Sequence, residues 1–230
     1  MGSIPETAHF FFDIDNCLYT RDYQVEERMS DLISSYVKNQ LGKSPEETKR
    51  LREKYKEEYC DDIQGLVHDF QINVLDYNSK VDKALPLDGL IKPDPELKRL
   101  LEDIDTTKVK LWIFTNSYVT HAERVLNLLG VDGLFEGLTY CDWQQQPIIA
   151  KPQGEMYQKA MKEAGVSNAS QCYFIDDSWN NCAAAEEMGW TAIHFVEEGL
   201  SLPNKPASKH HVQRFEELKL LFPHFFKHEQ

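Results

Sequence analysis

The run Phe10-Phe11-Phe12, closed by Asp13-Ile14-Asp15, constrains the fold of this chain more than any other stretch. A nearly continuous apolar segment at 9–14 has no polar side to offer to water. It therefore reads as a strand covered on both faces, the condition of a strand inside a parallel sheet. Ligands of open parallel sheets gather beyond the carboxyl ends of the strands. Asp13 and Asp15 stand at such an end.

From residue 22 to about 101 the texture changes. Charged segments of helical period dominate, such as Val25-Glu26-Glu27-Arg28-Met29-Ser30-Asp31-Leu32-Ile33 and Pro45-Glu46-Glu47-Thr48-Lys49-Arg50-Leu51, and no strand-like run appears. Pro93-Asp94-Pro95-Glu96 makes a good helix start at the far end. An α/β rhythm follows: strands at 109–114, 138–140, 171–175 and 191–195, and helices at 118–129, 154–164 and 181–188, closed by Gly130, Gly165 and Gly189. A polar loop at 201–209 and an outer helix at 212–221 end the chain. The fold class expected is α/β, a Rossmann-like parallel sheet with helices on both faces, plus a small all-helical cap domain inserted after the first strand. Residues 1–20 and 104–230 form the core in this division and 21–103 the cap.

Three more polar groups fall at or near strand ends: Thr115-Asn116, Lys151 before the helix at 154, and Asp176-Asp177. Four carboxylates gathered at one sheet edge repel each other and any phosphate unless a divalent cation sits among them. Ligands that are all oxygen select a hard ion, and no histidine or cysteine has zinc spacing, so Mg2+ is the expected cofactor. With the metal and Lys151 neutralising charge, Asp13 can attack phosphorus, while Asp15 protonates the leaving oxygen and later deprotonates water. Thr115 would donate to the transferring phosphoryl group. Other readings stay open. Thr115-Asn116 and Asp177-Ser178 also suit helix caps, and Asn180 or Asn181 suit a loop-shaping role.

In these residues the chain resembles the haloacid dehalogenase-like (HAD) phosphatase superfamily. The four segments that carry the likeness are Asp13-Ile14-Asp15-Asn16-Cys17-Leu18-Tyr19, Phe114-Thr115-Asn116-Ser117, Lys151-Pro152 and Phe174-Ile175-Asp176-Asp177-Ser178. The resemblance implies Asp13 as nucleophile and Asp15 as acid and base, with the Asp15 backbone carbonyl on the metal. It implies Thr115 and Lys151 on the phosphoryl group, Asp177 as a direct metal ligand and Asp176 as an auxiliary one. Cys17 departs from the usual Thr or Val, and a thiol so near the nucleophile raises the question of oxidation sensitivity. More narrowly, the chain is similar to the fungal pyrimidine 5′-nucleotidase branch, a likeness that extends through Gly65-Leu66-Val67 and Leu85-Pro86-Leu87. That branch carries a helical cap and implies UMP or CMP as substrate. Lysophosphatidic acid, a sugar phosphate or a phosphomutase reaction are the alternatives, and a catalytically silent binding protein on the same fold is the reading from another class. A dehalogenase is disfavoured, since those relatives lack the acid at Asp15.

A net charge of -13 argues against nucleic acid as a partner and leaves a small phosphorylated substrate as the expected one. Tyr19, Tyr55, Tyr59 and Tyr77 can each stack on a pyrimidine, and Tyr19 has the best claim because it adjoins the catalytic loop; Asn116 is a further candidate contact. Trp112 and Trp190 read as core. His210-His211 reads as a solvent-facing helix start rather than a metal tract. Five unpaired-looking cysteines, no apolar run of membrane length, and Glu6 where a myristoylation signal at Gly2 would want Ser or Thr point to a cytoplasmic protein, with nuclear access left open. Oligomeric state is unspecified, and a monomer is compatible.

Overall fold

The computed structural model describes residues 7–227, so the reading of Gly2 and Glu6 lies outside them. The apolar run is strand β1 (Ala8–Phe12), at the centre of a six-stranded parallel sheet with β2 (Val109–Phe114), β3 (Gly137–Thr139), β4 (Cys172–Asp176), β5 (Thr191–Phe195) and β6 (His210–Val212). The order is β3-β2-β1-β4-β5-β6. It reverses direction between β1 and β4, the point where crevices open in such sheets. Phe12 is level with Ile113 on one side and Ile175 on the other. Asp13 and Asp176 thus emerge side by side.

Apart from buried His9, β1 is apolar, and the places of its phenylalanines explain why. Phe10 and Phe12 enter one apolar cluster with Leu111, Ile113 and Phe222, whereas Phe11 enters the other with Phe114, Phe174 and Trp190. Each ring buried this way contributes on the order of 1.5–3 kcal/mol, so both faces must be covered. Trp190 is core as expected, while Trp112 is half-buried and donates its indole N–H to Thr139 Oγ1 at 3.0 Å.

Six helices lie between β1 and β2: α1 (Val25–Leu41), α2 (Pro45–Glu58), α3 (Asp62–Phe70), α4 (Val74–Lys80), α5 (Leu87–Leu90) and α6 (Pro95–Glu102). Ser44 and Glu47 form a capping box at α2, and Asp94 accepts from the Glu96 and Leu97 amides at α6, the helix start that the sequence marks. Gly65 is required on α3, because a Cβ there would come within 2.3 Å of the Tyr55 ring. Tyr77 on α4 packs against Trp143, which stacks on Tyr118, and Gln64 donates to the Ile148 carbonyl at 3.0 Å. These contacts tie α3 and α4 to the loops above the sheet. Leu97, Leu100 and Leu101 of α6 instead join the cluster beneath β1 and β2.

After β2 come α7 (Val119–Leu129), α8 (Gly154–Ala164), α9 (Trp179–Glu187) and the short α10 (Leu218–Leu221). The expected helix at 212–221 is corrected. His210, His211 and Val212 add a sixth strand to the edge of the sheet, a single 3-10 turn follows at Phe215–Glu217, and only Leu218–Leu221 is α-helical. The backbone bonds offered by the open edge of β5 outweigh a weak helical period. His210 and His211 therefore lie on an edge strand, not at a helix start, and among the described residues neither joins a group able to hold a metal.

Candidate active site

Lys151 is the structural centre of the site. Its side chain is 1% exposed, and its ammonium donates to Asp13 Oδ1 at 2.7 Å, to Asp176 Oδ2 at 2.6 Å and to the Phe114 carbonyl at 2.8 Å. The rings of Phe114 and Phe174 flank it, each centroid 5.1 Å away. Burial disfavours the ammonium, yet Asp13 and Asp176 overcome that and hold its proton above the usual lysine range. Asn116 clamps the backbone that carries it, donating to the Lys151 carbonyl at 2.9 Å and accepting from the Lys151 amide at 2.7 Å. The oxygen and the nitrogen of the Asn116 side chain are thereby both engaged with the backbone of Lys151. The capping reading of Thr115-Asn116 is corrected: α7 starts after Tyr118 with no side-chain cap. Thr115 is fully buried, and its hydroxyl accepts from the Ser117 amide at 3.0 Å, which leaves the hydroxyl proton to donate.

With Oδ1 on Lys151, Asp13 has one carboxylate oxygen held and Oδ2 without a hydrogen bond among the described residues. Burial pushes its proton affinity well up, Lys151 opposes that, and the carboxylates of Asp176, Asp177 and Asp15 add to it. One oxygen from each of Asp13, Asp176 and Asp177 lies within 4.8 Å of the others. Asp177 is pushed up to about 7 by burial and by Asp176 in the same way, against the pull of Arg21. Three carboxylates so close together are a donor set that suits a hard divalent cation. Asp176 is fastened at both oxygens: Asn181 donates to each at 3.1 Å and the Ser178 amide to Oδ1 at 2.7 Å. Asp177 pairs with the Arg21 guanidinium. Ser178 caps α9, and Asp177 does not.

Asp15 faces elsewhere. Its Oδ1 accepts from the Tyr19 hydroxyl at 2.6 Å and from His121 Nε2 at 2.9 Å, and its Oδ2 from the Ser117 hydroxyl. Burial works against its charge, yet the His121 imidazolium, with Ser117 and Tyr19, holds it well below the usual carboxylate range. Tyr19, the first of four candidates for stacking on a pyrimidine, is buried with its hydroxyl committed to Asp15.

The match to known proteins is decided over the same span. A model of the haloacid dehalogenase-like hydrolases covers residues 7–189. The chain belongs to that family. Phosphate metabolism protein 8 of Saccharomyces cerevisiae is 38% identical over 203 residues, which are 84% of this chain and 63% of the yeast protein. The chain thus spans under two thirds of that relative's length. Among solved structures, a HAD phosphatase from Thermococcus onnurineus superposes with a TM-score of 0.65 at 17% identity, over 94% of this chain and 98% of that one. The HAD-hydrolase YfnB from Bacillus subtilis, described as bound to magnesium, gives 0.58 at 14% identity, over 94% and 98%. At those identities the solved relatives attest to the fold.

Sequence reasoning about this hydrolase missed five residues of the site: Arg21, Asp82, Ser117, His121 and, beyond a loop-shaping role, Asn181. Only Ser117 carried a signal, since it adjoins Thr115-Asn116. Cys17 is buried, its thiol pushed well up by burial and then by Asp13, so it stays protonated and unreactive. Of five cysteines only Cys60 is exposed, so a disulfide reagent is expected to titrate one thiol in native protein and five after unfolding. Rapid labelling of Cys17 in the native state would contradict that.

Beside Asp15, Tyr19 and His121 lies a cavity of about 150 Å³ that also touches Glu26 and Met29. Those two residues line a second cavity of about 340 Å³, which contains Asp61 and Asp62. A larger one of about 530 Å³ between α1 and α2 holds none of the catalytic candidates. Burial, then Asp62 and Asp15, pushes Asp61 up to about 7. An acid raised in the folded state stabilises below its unfolded value near 4 and loses that contribution as pH climbs through about 7. Asp61→Asn is therefore expected to raise the unfolding midpoint at pH 8 by a few degrees and to have a smaller effect at pH 5. Equal shifts at both pH values would refute the assignment.

Proposed function

We propose that this hydrolase is a magnesium-dependent phosphatase of small phosphomonoesters, acting through an aspartyl-phosphate on Asp13, with a pyrimidine nucleoside 5′-monophosphate as substrate. The observation that carries the reading is Lys151, buried and bonded to Asp13 and Asp176 together. That contact aligns one oxygen of the nucleophile and supplies a fixed positive charge where phosphoryl oxygens would sit. Asp13 Oδ2 attacks phosphorus and the ester P–O bond breaks as Asp15, which shares one proton with His121 across their hydrogen bond, hands that proton to the leaving oxygen. Asp15 then takes a proton from the water that attacks the acyl phosphate, releasing inorganic phosphate and restoring Asp13. Asp13, Asp177 and Asp176 would hold the magnesium, which supplies charge neutralisation at the phosphoryl group. The part of residues 21–103 that precedes α6 serves as the cap that covers the substrate, since the α6 leucines join the core beneath β1 and β2. Glu26, Asp61 and Asp62 line the cavity beyond Asp15, a wall better suited to hydroxyls and amines than to an acyl chain.

Phosphate release from UMP, CMP, AMP, lysophosphatidate and glucose 6-phosphate tests this. UMP and CMP are expected to exceed AMP in kcat/KM by about tenfold or more. Chelation is expected to cut the rate at least about 100-fold, with recovery on adding magnesium. No release from any of the five esters would reject the phosphatase reading, and a preference for lysophosphatidate would reject the nucleotide.

A further inference from the structure

His121 follows β2 by one loop and sits in the first turn of α7, 2% exposed. One ring nitrogen reaches Asp15 Oδ1 at 2.9 Å and the other reaches Asp82 Oδ1 at 2.8 Å, and Asp82 is itself 3% exposed. Asp82 comes just after α4, in the helical segment between β1 and β2. Thr120, beside His121, lies 3.3 Å from both Asp82 Oδ2 and Asn78 Oδ1. A polar chain, buried at Asp82 and His121 and half-buried at Asp15, thus runs from the helical segment through one imidazole to the carboxylate next to Asp13. Fully satisfied buried networks of this kind hold one geometry, because each broken bond leaves a desolvated partner.

We propose that Asp82 and His121 are a positioning pair for Asp15, which makes proton donation to the leaving group depend on where the helical segment sits. The inference rests on Asp15 as acid and base, and it adds a residue pair that touches neither phosphorus nor the leaving oxygen. Asp82 fixes the ring, the ring fixes Asp15 Oδ1, and Ser117 and Tyr19 fix the remaining freedom of that carboxylate. Displacing an acid by about 1 Å costs about a hundredfold in the step that needs it.

Leaving groups separate positioning from general damage. A nucleotide expels an alkoxide and needs its proton, whereas 4-nitrophenyl phosphate expels a stable phenolate and does not. Asp15→Asn sets the reference pattern, a loss of kcat/KM of about 10²-fold or more on UMP with a much smaller one on 4-nitrophenyl phosphate. His121→Asn is expected to lower kcat/KM on UMP about 100-fold and on the aryl ester less than about fivefold, with the loss in kcat and KM within about threefold. Asp82→Ala should show the same pattern, and Asp82→Asn, which keeps an acceptor for the ring N–H, should recover most of the UMP rate. The double variant His121→Asn with Asp82→Ala should be no worse than His121→Asn alone. Should His121→Asn fail to fold, Asp82→Ala carries the comparison. Equal losses on both esters, or wild-type ratios, overturn the proposal while Asp15→Asn still discriminates. An Asp15→Asn variant that does not discriminate overturns the proposal and the acid assignment together.

Discussion

Lys151→Met is expected to abolish turnover and, in the presence of a chelator at pH 8, to lower the unfolding midpoint by about 6–20 °C. The reason is local. Removing the ammonium strands Asp13 and Asp176, both buried, without the cation that each touches within 2.7 Å. Breaking a buried ion pair from one side costs about 3–5 kcal/mol, and each kcal/mol moves a domain of this size by about 2–4 °C. Asp13 can escape by taking up a proton, so the deficit should shrink as pH falls towards 5. Thermal unfolding at several pH values reads this directly. A midpoint within a degree of wild type at pH 8 would mean that Lys151 holds no such charge balance.

Asp13→Asn removes the proposed nucleophile and is expected to lower turnover by about 10⁴-fold or more, with the opposite sign on stability. Asparagine keeps an oxygen for Lys151 and deletes one member of a crowded set of carboxylates. Asp13 is held well above the usual carboxylate range by burial and by its acidic neighbours, so its charge is a cost to the metal-free fold. The variant should melt at or a few degrees above wild type at pH 8 in chelator. It should also form no acid-stable, hydroxylamine-sensitive phosphoprotein during turnover. Residual phosphate release near the wild-type rate would reject Asp13 as nucleophile. Lys151→Met and Asp13→Asn thus alter adjacent partners of one contact, and are expected to silence turnover alike but to move stability in opposite directions.

Much of the architecture was legible because its causes are local. The runs at 109–114, 154–164 and 191–195 are reproduced as Val109–Phe114, Gly154–Ala164 and Thr191–Phe195. In each case the apolar period and the flanking Gly or acid already state the element and its end. The final segment was misread for the complementary reason. Nothing within 210–222 reports that β5 leaves an open edge, and it is that edge that draws His210, His211 and Val212 into the sheet.

The candidate site divides the same way. Sequence alone determined that Asp13, Asp15, Thr115 and Asp176-Asp177 stand at the carboxyl ends of strands, because a strand end is marked by its own residues. The tertiary structure decided which of them meet. Parallel register sets Asp13 beside Asp176, and Lys151, distant in sequence from both, bridges them. Arg21 is brought onto Asp177, and His121 between Asp15 and Asp82, by the way the helical segment packs against the sheet. A single histidine in the first turn of a helix carries no local mark of that position. Its position comes from two carboxylates 106 and 39 positions away, half-buried Asp15 and buried Asp82, the second of which burial forces to find a donor.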